Sequence, residues 1–195
     1  MTMTASTATA PATRPATCKV CSKSFLRLNS MQSVCGVKCA RQVPVIAKRA
    51  AREADAKKRE ALKTRQQWVR EAQAEFNAYI RLRDAGKSCI CCGSWGAGAG
   101  SRGGDWDAGH YRSTGSAPHL RFDEDNCHRQ LKKCNRYGAG RAVDYRIGLI
   151  ARIGLASVER IESDQAPRKF TVDELRALRD AYRAKAKALR ALDQS

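Results

Sequence analysis

Residues 106–111 read WDAGHY, and they lie between the segment CICC at residues 89–92 and the dipeptide CN at residues 134–135. The surrounding segment, residues 86–141, contains most of the glycines and all three histidines of the chain, and it has few periodic apolar runs. A segment of this kind cannot bury a large apolar core, so it needs another source of stability. The sequence therefore predicts a compact, loop-rich module that is supported by a metal ion.

The charge of the chain indicates a polyanionic partner. The 195 residues include 37 Lys and Arg against 19 Asp and Glu, a net charge of +18. Nucleic acid fits this charge best, because each neutralised phosphate releases a counterion. No run of about 18 apolar residues is present, so we expect no membrane span. The N-terminal segment lacks the apolar region of a secretory signal, so we expect a cytoplasmic protein (host cytoplasm if it is phage-encoded).

The fold class predicted from these features is α+β and mostly helical, with a small zinc-supported module between helical regions. Residues 41–70 contain ten basic and three acidic residues, and their composition favours a helix. The predicted organisation is a disordered tail (1–17), a zinc-finger-like module (18–40), one long basic helix (41–85), the metal-supported module (86–141) and a C-terminal helical region (142–195).

Apolar spacing predicts which faces of the helices are buried. The long helix should pack at its end through Val69, Ala72, Phe76, Tyr79 and Ile80, which have helical spacing. Three more features are predicted downstream: a strand at 119–122, a helix with Val143, Ile147 and Ile150 on its apolar face and Gly154 as its C-terminal cap, and a helix that begins with the capping box at Thr171 and Glu174.

The cysteines form two groups with the spacing of metal ligands. In a reducing compartment, paired cysteines indicate zinc before disulfides. Zinc prefers four tetrahedral thiolate or imidazole ligands, and a C-x2-C turn supplies two of them together. The first predicted zinc site uses Cys18, Cys21, Cys35 and Cys39. The second uses Cys89, Cys92 and Cys134, with either Cys127 or His128 as the fourth ligand.

Three residues near the second cysteine group have the chemistry of phosphodiester hydrolysis. A histidine suits a general base near neutral pH, and hard oxygen ligands suit a divalent cation. His110 is the candidate base, and Asp107 with Asn135 are candidate ligands for Mg²⁺ or Mn²⁺. Asn135 directly follows Cys134, so a zinc ion on that cysteine would also position the amide.

These motifs resemble known nucleases. The order C-x2-C, Asp-x-x-His and Cys-Asn resembles the ββα-metal (HNH-like) nucleases, especially the junction-resolving endonuclease VII type. The stretch WDAGHYRSTGSAPHLRFDEDN at residues 106–126, with HRQ and CN after it, is similar to the central motif of the lambdoid phage NinG (Rap) recombination proteins. YRIGLIARIG at residues 145–154 and the helical tail also fit that family. The resemblance implies His110 as the base, Asp107 and Asn135 at the catalytic metal, and zinc on Cys89, Cys92 and Cys134.

The sequence departs from the family pattern in two respects, at the second cysteine group and after the Cys-Asn dipeptide. Leu131 stands where the family has a cysteine, three residues before the last one, and Cys127 stands where it usually has an aliphatic residue. Cys127 or His128 would then close the second site, or zinc would be held weakly by three ligands. The family's Lys-Ser-Gly-Asn after Cys-Asn is replaced by residues 138–141, which read GAGR, so Arg136 or Arg141 would substitute for the lysine.

The sequence therefore predicts a Mg²⁺-dependent, structure-selective endonuclease that acts on branched recombination intermediates such as Holliday junctions. The alternatives are a non-catalytic DNA-binding recombination accessory and, less favoured, an RNA-binding zinc protein. Paired cutting of a four-way junction would favour a homodimer, and other recombination proteins are further expected partners. The residues predicted to contact DNA phosphates are Lys57, Lys58, Arg59, Arg112, Arg121, Arg136 and Arg141.

Overall fold

The computed structural model describes residues 14–96 and 104–193, and the chain forms two compact units, residues 1–63 and residues 64–195. The predicted disordered tail is wrong for residues 14–17, which form a strand. The rest of that tail, residues 97–103 of the central module and residues 194–195 of the C-terminal region lie outside the described residues. Among the described helices, none combines the length and the apolar character that crossing a membrane requires.

The N-terminal unit consists of a short hairpin and an exposed helix. Strand β1 (Arg14–Thr17) pairs antiparallel with β2 (Ser24–Arg27), and helix α1 follows at Val37–Ala61. Cys18 is the one buried residue in the described part of this unit, and α1 buries none of its residues. The hairpin orders residues 14–17 because its ladder satisfies their backbone groups, which composition alone does not reveal.

The single helix predicted over residues 41–85 is wrong, because two helices occupy this region. Helix α1 ends at Ala61, and helix α2 runs over Arg65–Arg83. Thr64 is the N-cap of α2 and has an extended backbone, with φ −70° and ψ 156°. Its hydroxyl accepts from the N–H of Gln67, and the Gln67 side chain accepts from the N–H of Thr64. This capping box stabilises a helix start, so the basic run contains a boundary that its composition hides.

The second unit packs helices around a two-stranded sheet. Helix α2 contacts helix α5, and both lie against the core that surrounds Phe76 and Tyr182, whose rings meet edge to face at 4.9 Å. The predicted buried face of α2 is confirmed, with Val69 and Tyr79 partly buried at its edges. Besides α2, the unit contains β3 (Trp106–His110), β4 (Cys127–Leu131), α3 (Ala142–Ile153), α4 (Leu155–Ser163) and α5 (Val172–Leu192).

The sheet differs from the one that the sequence predicted. β3 pairs antiparallel with β4, and the register sets Trp106 opposite Leu131 and His110 opposite Cys127. Residues 119–122 were predicted as a strand, but Pro118–Leu120 form a 3-10 turn. The Asn126 side chain donates to the carbonyl of Leu120, which fixes this connection between the strands. The β3–β4 pair carries the WDAGH motif and leads directly into the helical turn Lys133–Tyr137.

The predicted buried face of α3 is wrong for two of its three residues, whereas the predicted helix ends are confirmed. Tyr145 and Leu149 are buried and Ile150 packs against them partly buried, while Val143 and Ile147 are exposed. The neighbouring chain sets this face, because a Cβ at Gly148 would lie 1.8 Å from the carbonyl oxygen of Ile90. The predicted cap and capping box are both present: Gly154 ends α3 with φ +84°, and Thr171 with Glu174 begins α5.

Candidate functional site

The first cysteine cluster lies in the N-terminal unit, at the base of the β1–β2 hairpin. Its four sulfur atoms all lie within 4.8 Å of one another: Cys18, Cys21, Cys35 and Cys39. The N–H of Ser22 donates to the carbonyl of Cys18, and Ser22 has φ +58°, which closes the turn between the first two cysteines. Hydrogen bonds from backbone N–H groups, chiefly that of Cys21, lower the pKa of the Cys18 thiol to about 6. The cluster is the one predicted from the spacing.

The second cluster lies where β4 meets the helical turn 133–137. It consists of Cys89, Cys91, Cys92 and Cys134, whose sulfur atoms also lie within 4.8 Å of one another. Trp106 and Leu131 are buried beside it. Burial raises the pKa of the Cys89 thiol, but the N–H groups of Leu131, Cys92 and Cys91 outweigh this effect and lower that pKa overall. The backbone therefore stabilises a thiolate at Cys89, which is the form that binds zinc.

The fourth sulfur of this cluster is Cys91, and the prediction of Cys127 or His128 is corrected. Cys127 begins β4 opposite His110, whereas Leu131 at the other end of the strand donates its N–H to the Cys89 sulfur at 3.3 Å. Four residue steps of about 3.3 Å put about 13 Å between the two ends of β4. Cys127 is therefore at the wrong end of the sheet to join the cluster.

Both clusters have the donor set and spacing that zinc requires. A tetrahedral site with Zn–S bonds of about 2.3 Å has sulfur atoms about 3.8 Å apart. The sulfur atoms of Cys89 and Cys91 are 3.6 Å apart, as are those of Cys92 and Cys134. In the first cluster, Cys35 is 3.6 Å from both Cys21 and Cys39. The chain can thus hold two structural zinc ions, each on four cysteines.

Asp107 and Asn135 lie together, as the motif predicted. The Asn135 Nδ2 donates to the Asp107 Oδ2 at 3.0 Å. Arg136 forms a two-point ion pair with the same carboxylate, at 2.8 Å from Nε and 3.0 Å from Nη2. Burial raises the pKa of Asp107, but hydrogen bonds from Arg136 and Asn135 lower it overall. Asp107 is therefore a carboxylate at neutral pH, with its charge directed toward the turn that carries Cys134.

His110 is partly buried, and a main-chain contact fixes the role of one ring nitrogen. Its Nε2 lies 2.9 Å from the carbonyl oxygen of Arg121, which can only accept a hydrogen bond. Nε2 therefore carries the proton, and Nδ1 carries the electron pair that can accept a hydrogen bond. The Nδ1 faces the Cys127 sulfur at 3.7 Å. Burial lowers the pKa of His110, which favours the neutral ring that can accept a proton.

The predicted base and the predicted metal ligand face opposite sides of β3. Side chains alternate along a strand, so residues three apart point in opposite directions. His110 packs on Phe76 of α2, with ring centroids 5.9 Å apart. Asp107 instead contacts the turn that contains Asn135 and Arg136. The structure therefore brings Asp107 and Asn135 together on one side of β3, whereas the His110 ring packs against Phe76 on the other side.

The predicted DNA contacts fall into two groups. Lys57, Lys58 and Arg59 are exposed on α1. All four predicted arginines instead contact their own chain. Arg112 donates to the carbonyls of Ile161 and Asp164, and Arg121 donates to the Gln73 side chain and to the carbonyl of Thr114. Arg136 pairs with Asp107, and Arg141 pairs with Asp144. His128, the other proposed zinc ligand, is a structural residue, because its Nδ1 lies 3.4 Å from a carboxylate oxygen of the buried Asp84.

These features define a protein with two four-cysteine clusters that can hold metal ions and a short β-sheet motif beside the second cluster. The family described as Bacteriophage Lambda NinG protein matches residues 10–192, and the chain belongs to this NinG family.

Curated relatives support this assignment. Protein ninG of Salmonella phage P22 is 46% identical over 130 residues, which cover 67% of this chain and 61% of the relative. Protein ninG of Escherichia phage lambda is 44% identical over 130 residues, with the same coverage. The matched region thus spans less than two thirds of the length of these relatives. No solved structure matches the chain.

Proposed function

We propose that the protein is a divalent-cation-dependent endonuclease that cuts branched DNA. The observation that carries the proposal is the hydrogen bond between the His110 ring and the carbonyl of Arg121, which leaves Nδ1 as a proton acceptor. A general base must be neutral and oriented before it can activate water. The lowered pKa of His110 supplies the first condition, and the carbonyl supplies the second.

In the proposed reaction, Nδ1 of His110 takes a proton from a water molecule, whose oxygen attacks the phosphorus of the DNA backbone. Cys127 faces the same nitrogen, and burial raises the pKa of its thiol. The thiol therefore stays neutral at physiological pH and can donate its S–H to Nδ1, so a water molecule must displace this contact before Nδ1 can take its proton. The ring of Phe76 covers the other side of the histidine and limits its motion.

Asp107 and Asn135 would hold the Mg²⁺ or Mn²⁺ ion. The donor chemistry fits, because a carboxylate and an amide carbonyl are oxygen ligands, and Mg²⁺ is often bound through one or two carboxylates with several waters. When bound, the cation supplies charge stabilisation at the phosphate and the leaving oxygen. Arg136, which now neutralises Asp107, has a side chain that is 57% exposed and is free to turn toward a DNA phosphate instead.

The substrate assignment rests on the positive charge of the chain. Contacts with backbone phosphates do not depend on the base sequence of the DNA. A net charge of +18 favours phosphate contacts, which set position without reading bases. Lys57, Lys58 and Arg59 add exposed charge on α1. A protein of this kind suits recognition of DNA shape, including four-way junctions. A homodimer would allow paired cuts, and other recombination proteins are the further partners that this role implies.

A non-catalytic DNA-binding accessory is the second candidate, and one observation favours it. Asp107 and His110 contact different sides of the sheet, and the Asp107 carboxylate is already neutralised by Arg136. Cleavage would then need a change in this region when DNA binds. A binding role needs only the folded zinc sites and the basic surface.

The deciding experiment incubates the zinc-loaded chain with a synthetic four-way junction or a linear duplex, with and without Mg²⁺ or Mn²⁺. We expect cation-dependent cutting of the junction. His110→Ala should reduce the rate about 100-fold or more while junction affinity is retained. His119→Ala is the matched control, because its Nε2 contacts the carbonyl of Asp164 in another part of the unit. Junction binding without cutting in either cation would establish the accessory role instead.

The pH dependence of cutting tests the role of His110 separately. The ordinary histidine pKa is 6.5, and burial lowers that of His110. A base works when it is unprotonated, so the rate should be level above about pH 6.5 and decrease only below it. Initial rates between about pH 5 and pH 8 measure this profile. A rate that already decreases with falling pH above 6.5 would contradict the assignment.

A further inference from the structure

Three arginines line one cleft of the second unit. The cleft has a volume of about 600 Å³ and lies between the start of α2, the 3-10 turn and the segment that precedes α5. Arg65, Arg121 and Arg168 line it, together with the apolar side chains of Val69 and Phe170. Guanidinium groups that converge on a concave surface are suited to bind an oxyanion, because they present several donors in a fixed plane.

Two of the three guanidinium groups have no acidic partner among the described residues 14–96 and 104–193. Arg65 donates to the carbonyl of Phe170 at 2.9 Å. Arg121 donates at 3.2 Å to the Gln73 side chain and at 3.2 Å to the carbonyl of Thr114. These contacts hold the groups in place without neutralising their charge. Burial lowers the pKa of Arg121, and the positive charge of Arg65 lowers it further, so the two charges act on each other across the cleft.

Arg168 is the adjustable member of the group. Its Nη2 lies 3.3 Å from a carboxylate oxygen of Glu174, and both side chains are largely exposed. Its guanidinium also stacks over the Phe170 ring, 4.5 Å from the centroid. A solvent-exposed pair of this type contributes little to stability. Arg168 can therefore exchange Glu174 for an incoming anion at small cost.

The start of α2 adds to the positive potential of the cleft. Thr64 and Gln66 line it beside Arg65. The first N–H groups of a helix have no partner within the helix, and the helix dipole is positive at this end. The anion that fits these groups is a phosphate, which accepts hydrogen bonds from both guanidinium and amide donors.

Arg121 connects the cleft to His110. Its guanidinium lies in the cleft, while its carbonyl oxygen accepts the hydrogen bond from the His110 ring at 2.9 Å. Gln73, which holds the Arg121 side chain, lies one turn before Phe76, the residue that packs on the same ring. A phosphate held by the Arg121 side chain would therefore be bound by the same residue whose main-chain oxygen contacts the proposed base.

We propose that Arg65, Arg121 and Arg168 bind one phosphate group of a DNA backbone and thereby place the strand beside His110. This inference rests on the proposed function for its biological meaning, although the binding step needs no cleavage. It adds Arg65 and Arg168 to the residues that contact DNA, and it locates the contact in one cleft instead of over the whole basic surface.

The test measures junction affinity of the full zinc-loaded chain over a range of salt concentrations without Mg²⁺, so that cutting does not contribute. For a phosphate contact, the logarithm of the affinity falls with the logarithm of salt by about 0.9 per contact. The variant Arg65→Gln with Arg168→Gln should reduce that slope by about one, because one phosphate contact is lost. Arg183→Gln with Arg176→Gln is the control, because it removes the same charge from α5 residues that pair with other acids.

Two results would overturn the proposal. One is an equal reduction of the slope in the cleft variant and the control variant, which would mean that only net charge matters. The other is an unchanged slope in the cleft variant. If inorganic phosphate also stabilises the wild type thermally, but not the cleft variant, relative to chloride at equal ionic strength, the cleft would be assigned to free phosphate instead of DNA.

The outcome is independent of the nuclease assignment. If the protein cuts junctions but the cleft variant keeps the wild-type slope and cutting rate, the phosphate proposal fails and the proposed function stands. If the protein never cuts but the cleft variant loses the expected slope and the control does not, the cleft is a DNA contact of a binding protein. Thermal unfolding of both double variants checks that they fold. Arg121→Lys is a third variant, which keeps the positive charge and removes the planar guanidinium donor group.

Discussion

The two cysteine clusters have the same number of sulfur atoms and different surroundings. In the first cluster, Cys21 and Cys35 are exposed, and Cys18 is the one buried residue in the described part of its unit. The second cluster packs against Trp106 and Leu131, and the same unit contains two further apolar cores. The comparison teaches that the same ligand set can provide a unit's main source of stability in one place and reinforce an existing core in another.

Removal of zinc should show the largest difference between the two units. In zinc-finger peptides, the free energy of zinc binding that stabilises the fold is about 10–16 kcal/mol. The described N-terminal unit has no apolar core that could replace this contribution. After chelation, we expect the amides of residues 14–36 to lose protection from hydrogen exchange, while those of α2 and α5 stay protected. Exchange with mass spectrometry on the full chain measures both. Equal loss of protection in α2 would contradict the comparison.

The second largest expected effect is the loss of zinc from the second cluster when its fourth ligand is replaced. Cys91→Ser should release zinc from the second cluster to a competing chelator, because it removes one of four sulfur ligands. Cys127→Ser is the matched variant, since Cys127 lies opposite His110 at the other end of β4. Zinc content after dialysis should fall from two to one ion per chain in the first variant only. Loss of zinc in Cys127→Ser with retention in Cys91→Ser would reverse the ligand assignment.

A pair of leucines tests the smallest expected difference. Leu131 is 3% exposed beside the second cluster, whereas Leu28 is 75% exposed after β2. Leu131→Ala should lower the free energy of unfolding of its unit by about 2–5 kcal/mol. Leu28→Ala should change stability by less than about 0.5 kcal/mol. Hydrogen exchange with mass spectrometry at increasing urea concentrations compares the two units, because all three tryptophans lie in the second unit and fluorescence would report on that unit alone. Equal effects would mean that the N-terminal unit also relies on apolar burial.

Part of the helical periodicity and capping could be predicted from the sequence, because both are local, although the capping box at Thr64 and Gln67 was missed. The buried face of α2 follows from spacing, and the start of α5 follows from Thr171 and Glu174. The first cysteine cluster was also predicted in full, because its ligands are consecutive pairs in a short segment. These features need no knowledge of which distant segments meet.

Features that depend on distant contacts could not be predicted in the same way. Cys91 lies between the predicted ligands Cys89 and Cys92, and its spacing did not favour it over Cys127 as the fourth ligand. The register of β3 with β4 decides between the two, because it places Cys127 at the far end of the strand. The exposure of Ile147 depends on how closely α3 approaches Ile90. The separation of Asp107 from His110 is predictable once residues 106–110 are known to form a strand, which the glycine-containing motif did not indicate.

The acceptor for the His110 ring is the main-chain oxygen of Arg121, and every amino acid has that atom. Replacement of the Arg121 side chain therefore leaves the proton on the same ring nitrogen, provided that the backbone keeps its path. If the cleft binds a phosphate as proposed, substitutions of the Arg121 side chain would change the affinity for anions while His110 keeps its tautomer. The Arg121 side chain would thus be open to substitution, while its main-chain oxygen fixes the position of the proton on the His110 ring.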